Sequence, residues 1–196
     1  TQKIAEILGV EAKKNVRIAA LVRCAGGNHA KRKYDYSGAT DCVAANELAG
    51  SPLECNYGCL GLGTCVSSCL FDAIQIKDGV AVVDADKCTG CLKCIQSCPR
   101  HIIIAVPYSA DVNVVCSNHD RGPALKNICE IGCLGCHICE KTCQYDAIHV
   151  VDNLATIDYD KCVRCGECVK KCPRHLIVDS KLLKPHEVTD GSRIGE

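Results

Sequence analysis

The chain has 196 residues, room for one or two domains, and 20 of them are cysteine against no tryptophan, no methionine and one phenylalanine. Lysine plus arginine equals aspartate plus glutamate at 23 each, which removes any charge-based case for a nucleic acid or another polyanionic partner. So few large side chains make an ordinary hydrophobic core thin, and a domain built that way needs staples, which cysteines can supply.

Residues 1–50 read as a small α/β linker region. Ile4, Ile7 and Leu8 fall on one helical face ended by Gly9, and Val16–Val22 reads as a buried strand. Gly26-Gly27 and the basic Lys31-Arg32-Lys33 follow as a loop, read as a solvated one rather than a docking site for an acidic protein. No apolar run approaches the roughly 18 residues of a membrane span. The chain starts at Thr1 without methionine and without a signal-peptide pattern, which reads as a fragment or a processed form.

From Cys42 onward the chain repeats. Cys42, Cys55, Cys59, Cys65, Cys69, Cys88, Cys91, Cys94 and Cys98 recur 74 residues later as Cys116, Cys129, Cys133, Cys139, Cys143, Cys162, Cys165, Cys168 and Cys172. The copies span 51–110 and 111–180. In the first, apolar runs 72–76 and 80–83 flank Lys77-Asp78-Gly79, a hairpin signal, and 146–150 and 154–157 repeat it. Short helical turns are expected before the last cysteine of each motif. After each Cys-Pro comes Arg-His and a short strand, at Arg100-His101 and Arg174-His175; the histidines read as structural. Residues 181–196 are polar and read as a flexible tail. The fold class is therefore α+β: two tandem modules preceded by the linker region.

The spacing names the chemistry. Cys88-x2-Cys91-x2-Cys94-x3-Cys98-Pro99 and Cys162-x2-Cys165-x2-Cys168-x3-Cys172-Pro173 are runs in which three thiolates wrap one four-iron cube and the fourth serves its neighbour. Disulfide scaffolds space their cysteines irregularly, and zinc sites have no use for a third cysteine three residues on. In the second module one cube falls to Cys133, Cys136, Cys139 and Cys172, the other to Cys162, Cys165, Cys168 and Cys143. The first module departs from this, because Leu62 stands where the second has Cys136. Either that cube is a three-iron [3Fe–4S] cluster, or Cys55 supplies the missing ligand, which the Gly58-containing linker favours. Its cubes are then Cys55, Cys59, Cys65 with Cys98, and Cys88, Cys91, Cys94 with Cys69. Four cysteines are left over as buried, inert thiols: Cys24, Cys42, Cys116 and Cys129.

Other local patterns carry less. Gly58, Gly61 and Gly63 are not in a nucleotide-binding order and read as places where backbone approaches a cluster. Ser37-Gly38-Ala39-Thr40 lacks the trailing hydroxyl residue of a flavin-attachment signature. No catalytic constellation stands out.

Residues 55–178 resemble tandem bacterial-type two-cluster ferredoxins, which implies two tandem ferredoxin-like modules with two [4Fe–4S] clusters each, four [4Fe–4S] clusters in all. The stretches Val22-Arg23-Cys24-Ala25-Gly26-Gly27, Tyr36–Cys42 and Glu54–Gly63 resemble the B subunit of the Rnf complex, a membrane ferredoxin:NAD oxidoreductase that couples electron flow to sodium or proton translocation. The resemblance covers nearly the whole chain. It implies a relay taking low-potential electrons from soluble ferredoxin toward flavin- and NAD-binding partners, at the cytoplasmic face of the membrane, with no substrate chemistry of its own. It also implies an upstream membrane helix and a further four-cysteine domain, neither of which this sequence contains. The alternative from another class is a soluble polyferredoxin wired to a hydrogenase or dehydrogenase.

Overall fold

The computed structural model describes residues 16–180. The expectations for Ile4, Ile7 and Leu8 and for the 181–196 tail fall outside that range. Within it, one plan is built twice, and in each copy a first strand pairs antiparallel with the strand that closes the copy while a hairpin lies between. In the first copy β1 (Ile18–Val22) pairs with β4 (Ile103–Pro107), and β2 (Ile74–Lys77) with β3 (Val80–Val83). In the second, β5 (Val112–Val114) pairs with β8 (Ile177–Asp179), and β6 (Ile148–Val151) with β7 (Leu154–Ile157).

The hairpins follow from their turn residues. Asp78 and Gly79 have φ of 47° and 77°, Asp152 and Asn153 48° and 64°. Two consecutive left-handed residues make the turn whose twist matches antiparallel strands, and Asp, Asn and Gly tolerate that conformation best. Gly61 and Gly135, repeat partners with φ of 71° and 60°, pass close to these turns. A Cβ on Gly61 would stand 2.6 Å from the Gly79 carbonyl oxygen, and one on Gly135 2.8 Å from that of Asn153. The hairpin backbone thus leaves no room for a side chain at Gly61.

The boundary expected at residue 50 is absent. β1 belongs to the first copy, because Ala20 and Val22 bury in one cluster with Ile74, Val80, Ile102 and Ile103. Its counterpart joins Val112, Val114, Ile148, Ile157 and Ile177. In both, cysteines complete the packing: Cys59, Cys69, Cys88 and Cys98 border the first, and Cys133, Cys143, Cys162 and Cys172 the second. A third cluster, containing Ala25, Val115, Cys116, Leu154 and Leu176, spans the junction.

The two strand pairs also reveal a second register. Val22 faces Ile103 as Val114 faces Ile177, and Arg23 donates to the Ile102 carbonyl as Val115 donates to that of Leu176. Structurally, then, Cys24 corresponds to Cys116. From Cys24 to Cys59 is 35 residues, whereas from Cys116 to Cys133 is 17, so the first copy carries 18 extra residues there. Within that longer connection lies α1 (Cys42–Glu47). The shorter one contains α4 (Gly122–Ile128), which begins with Pro123 in its first turn and buries Leu125 completely.

Four short helices carry the motif cysteines: α2 (Thr64–Ser67), α3 (Lys93–Ser97), α5 (Ile138–Thr142) and α6 (Glu167–Lys171). His101 and His175 have φ of 52° and 51°, and each donates its N–H to the carbonyl of the Cys-Pro cysteine, Cys98 or Cys172. Histidine is among the residues that tolerate this left-handed conformation, which accounts for the recurring pair in structural terms.

Candidate iron–sulfur centres

The loops that precede the four short helices share one backbone signature. Gly61 and Gly63, Gly90 and Leu92, Gly135 and His137, and Arg164 and Gly166 are pairs two residues apart, each with φ between 59° and 84°. Left-handed residues alternating with ordinary ones fold successive N–H groups toward one concave side, a nest that binds negative charge. Inorganic sulfide and thiolate sulfur are such charge. The first module keeps its nest around Leu62 even though the cysteine is missing there.

Each nest adjoins a cavity ringed by four cysteines. Cys69, Cys88, Cys91 and Cys94 line one of about 340 Å³. Cys133, Cys136, Cys139 and Cys172 line a second of about 390 Å³, and Cys143, Cys162, Cys165 and Cys168 a third of about 380 Å³. In each, three thiols come from one motif and the fourth from the other motif of the same module.

The fourth cavity, about 330 Å³, differs from the expectation: Cys59, Cys65 and Cys98 are joined by Cys42, and Cys55 does not line it. The reason is a clamp between α1 and α2. Asp41 caps α1 by accepting from the Ala44 N–H at 2.9 Å, and its other oxygen accepts the Thr64 hydroxyl at 2.8 Å. The same Thr64 oxygen accepts the Cys42 N–H at 2.7 Å, which fastens Cys42 beside Cys65. These bonds hold the Asp41 carboxyl below the usual carboxylate range, the Ala44 N–H first and the Thr64 hydroxyl second. Sequence patterns single out neither Asp41 nor Thr64. The 74-residue register, which pairs Cys42 with Cys116, hides their role.

Cys55 lies elsewhere. With Cys24, Cys116 and Cys129 it lines a further cavity of about 330 Å³ between the modules. The thiols read from sequence as left over are therefore divided, Cys42 going to the first module and the other three to this junction.

All 20 cysteines are free thiols, and burial drives eight of them, Cys24, Cys59, Cys65, Cys94, Cys116, Cys129, Cys139 and Cys168, to hold protons. Burial first, then the neighbouring Cys42 and Cys98, push Cys65 up to about 12. Burial and then Cys24 do the same to Cys59. Burial dominates for Cys139 and Cys116, both also at about 12, and for Cys168 at about 11. Gathered thiolates repel one another, and a cationic iron core reverses that preference by replacing the protons. Among the described residues, no three His, Cys, Asp or Glu side chains converge on the position of a single metal ion. The thiols instead stand around cavities, the arrangement a multi-iron body requires.

The donor set fits such a body. Ala20 N–H points at Cys88 Sγ and Ala147 N–H at Cys143 Sγ, both at 3.4 Å. N–H···S bonds of this kind stabilise ligand sulfur and tune cluster potential. Arg100 and Arg174, repeat partners after the Cys-Pro pairs, each line a module cavity and carry a buried Nε that finds no protein acceptor. An orphaned buried donor at a cavity wall is costly unless an acceptor occupies the cavity, and sulfide is one.

Comparison with known proteins agrees. A 4Fe-4S dicluster domain model matches residues 132–177, and a 4Fe-4S binding domain model matches 81–104. The B subunit of the ion-translocating oxidoreductase complex of Methanosarcina acetivorans is 44% identical over 178 residues, covering 90% of this chain and 67% of that protein. The B subunit of the Na(+)-translocating ferredoxin:NAD(+) oxidoreductase complex of Acetobacterium woodii is 46% identical over 176 residues, 89% of this chain and 53% of its own. The proton-translocating counterpart from Clostridium ljungdahlii is 42% identical over 176 residues, 88% and 62%. The chain thus spans between 53% and 67% of the length of these relatives. Among the described residues no helix is long and apolar enough to cross a membrane. Carrying multiple [4Fe–4S] clusters in ferredoxin-type domains, the chain belongs to the B-subunit family of ion-translocating (Rnf) oxidoreductase complexes.

Proposed function

We propose that this chain is the electron-relay portion of such a B subunit, receiving low-potential electrons from soluble ferredoxin and passing them toward flavin- and NAD-binding partners. It would do so at the cytoplasmic face of the membrane, held there by other subunits or by a segment outside this sequence. One observation carries the reading: four cavities, each ringed by four thiols. Three of them have three thiols of one motif and one of the other, and the fourth has Cys59 and Cys65 of one motif, Cys98 of the other and Cys42 from α1.

The ligand sets we assign are Cys42, Cys59, Cys65 and Cys98; Cys69, Cys88, Cys91 and Cys94; Cys133, Cys136, Cys139 and Cys172; and Cys143, Cys162, Cys165 and Cys168. When bound, [4Fe–4S] clusters supply reversible one-electron chemistry at low potential. The chain's own residues do the rest. Nests and N–H···S bonds stabilise the more negative reduced state, and Ile74, Ile103, Ile148 and Ile157 keep water from the cavities' inner walls. Exchange of the fourth cysteine between motifs fixes the spacing of the two clusters in each module.

The test is anaerobic iron and sulfide quantitation on the full chain, with electron paramagnetic resonance after reduction by reduced ferredoxin. At least about sixteen irons with interacting spins are expected from four cubes. Colourless protein, or zinc in place of iron, would reject the proposal.

A further inference from the structure

We infer that Cys24, Cys55, Cys116 and Cys129 form a fifth four-thiolate site, holding a [4Fe–4S] cluster at the junction and connecting the two modules. This goes beyond the four-cluster reading and rests on its iron–sulfur chemistry. Five sets of four then account for all 20 cysteines.

The site is built as two symmetry-related halves. Cys55 and Cys129 are partners in the 74-residue register, while Cys24 and Cys116 are partners in the strand register described above. Their donors repeat as well. Gly26 N–H points at Cys24 Sγ at 3.4 Å and Asn118 N–H at Cys116 Sγ at 3.5 Å, each from two residues on. Cys59 N–H reaches Cys24 Sγ at 3.3 Å, and its repeat partner Cys133 reaches Cys116 Sγ at 3.5 Å. Asn118, only 1% exposed, adds Nδ2 to Cys55 Sγ at 3.3 Å. A Cβ on Gly26 would stand 3.5 Å from Cys129 Sγ and 3.6 Å from Cys24 Sγ, so the sulfurs of two chain segments border one point. Arg100 donates to the Cys55 carbonyl at 3.3 Å and Arg174 to that of Cys129 at 3.0 Å, again partners bonding to partners.

Inert buried thiols have no need of any of this. They do not require a cavity the size of the four module cavities, nor N–H groups trained on sulfur, nor a matching arrangement in both halves. The position also suits a bridge. The two donors Cys59 and Cys133 are themselves in module ligand sets, one in each module. Connectivity therefore runs from the Cys88 set to the Cys42 set, through the junction, to the Cys133 set and on to the Cys162 set. One electron moving along it oxidises each site as it reduces the next, and nothing else is consumed.

Native mass spectrometry of the anaerobically isolated full chain decides the stoichiometry. Five cube increments, about twenty irons, support the inference. Four cubes with four alkylatable thiols, or four cubes and one zinc, overturn it while leaving the four-cluster reading intact; absence of iron overturns both. The Cys24→Ser/Cys116→Ser double variant should lose about a fifth of its iron and sulfide. It should also lose the spin coupling between modules while retaining that within each. Unchanged iron in that variant would sink the proposal, and if the variant fails to fold, the wild-type mass still decides.

Discussion

The two modules solve the same ligand problem in different ways. In the second, all three thiols of the first motif come from one loop, and Cys136 at its middle is exposed. In the first, the loop keeps its left-handed pair at Gly61 and Gly63 but offers Leu62, and Cys42 arrives on a separate helix and is buried. The backbone nest has persisted while the ligand moved, so the nest, and not the cysteine count of the loop, marks a cluster position.

The sharpest way to break this comparison is Cys42→Ser. The first module should then hold three irons at that site and give a three-iron signal when oxidised, while Cys55→Ser should leave that site with its four irons. Adding Leu62→Cys to Cys42→Ser should restore the fourth iron, because it recreates the second module's loop. If Cys42→Ser leaves this site complete, the assignment is wrong. Next in size come the packing partners Ile102 and Leu176, buried to 2% and 3% exposure in equivalent places. Truncating either to alanine should cost about 2–5 kcal/mol in denaturant unfolding of the anaerobic protein, and the two costs should match. A large inequality would mean that the clusters contribute unequally to the two cores. Thr64→Val should cost about 1–3 kcal/mol and make the three-iron signal appear on mild oxidation, since the clamp on Cys42 is lost. Its repeat partner Ile138 makes no such clamp, so Ile138→Val should alter neither readout. Smallest of all, Lys170→Ala removes an exposed pair with Glu167 on α6 and should leave the melting temperature unchanged.

Much of this organisation is legible in the sequence because the spacing of thiols around a cube is a local property. Cys88–Cys98 and Cys162–Cys172 declare themselves, as do the turns at Asp78-Gly79 and Asp152-Asn153. What is not local is lost. Cys42 falls by coincidence 74 residues before Cys116, and that shared register disguises an 18-residue insertion that shifts the true partner to Cys24. A different signal is present: an apolar strand ending two residues before a cysteine, at Ile18–Val22 before Cys24 and at Val112–Val114 before Cys116. Cys55 is misplaced by sequence reasoning because the flexibility of a glycine-containing linker says only that a residue can travel, not where. The Asp41–Thr64 clamp depends on contacts across 23 residues and has no spacing rule to betray it.

The exposure of the loop thiols has a practical corollary. Cys91, Cys136 and Cys165 reach solvent at the middle of their loops, whereas Cys42, in the corresponding role, does not. Dioxygen and peroxide attack the corner they can touch. Brief aeration should therefore bleach the three sites with open corners first, and the one whose corner was rebuilt from inside should outlast them.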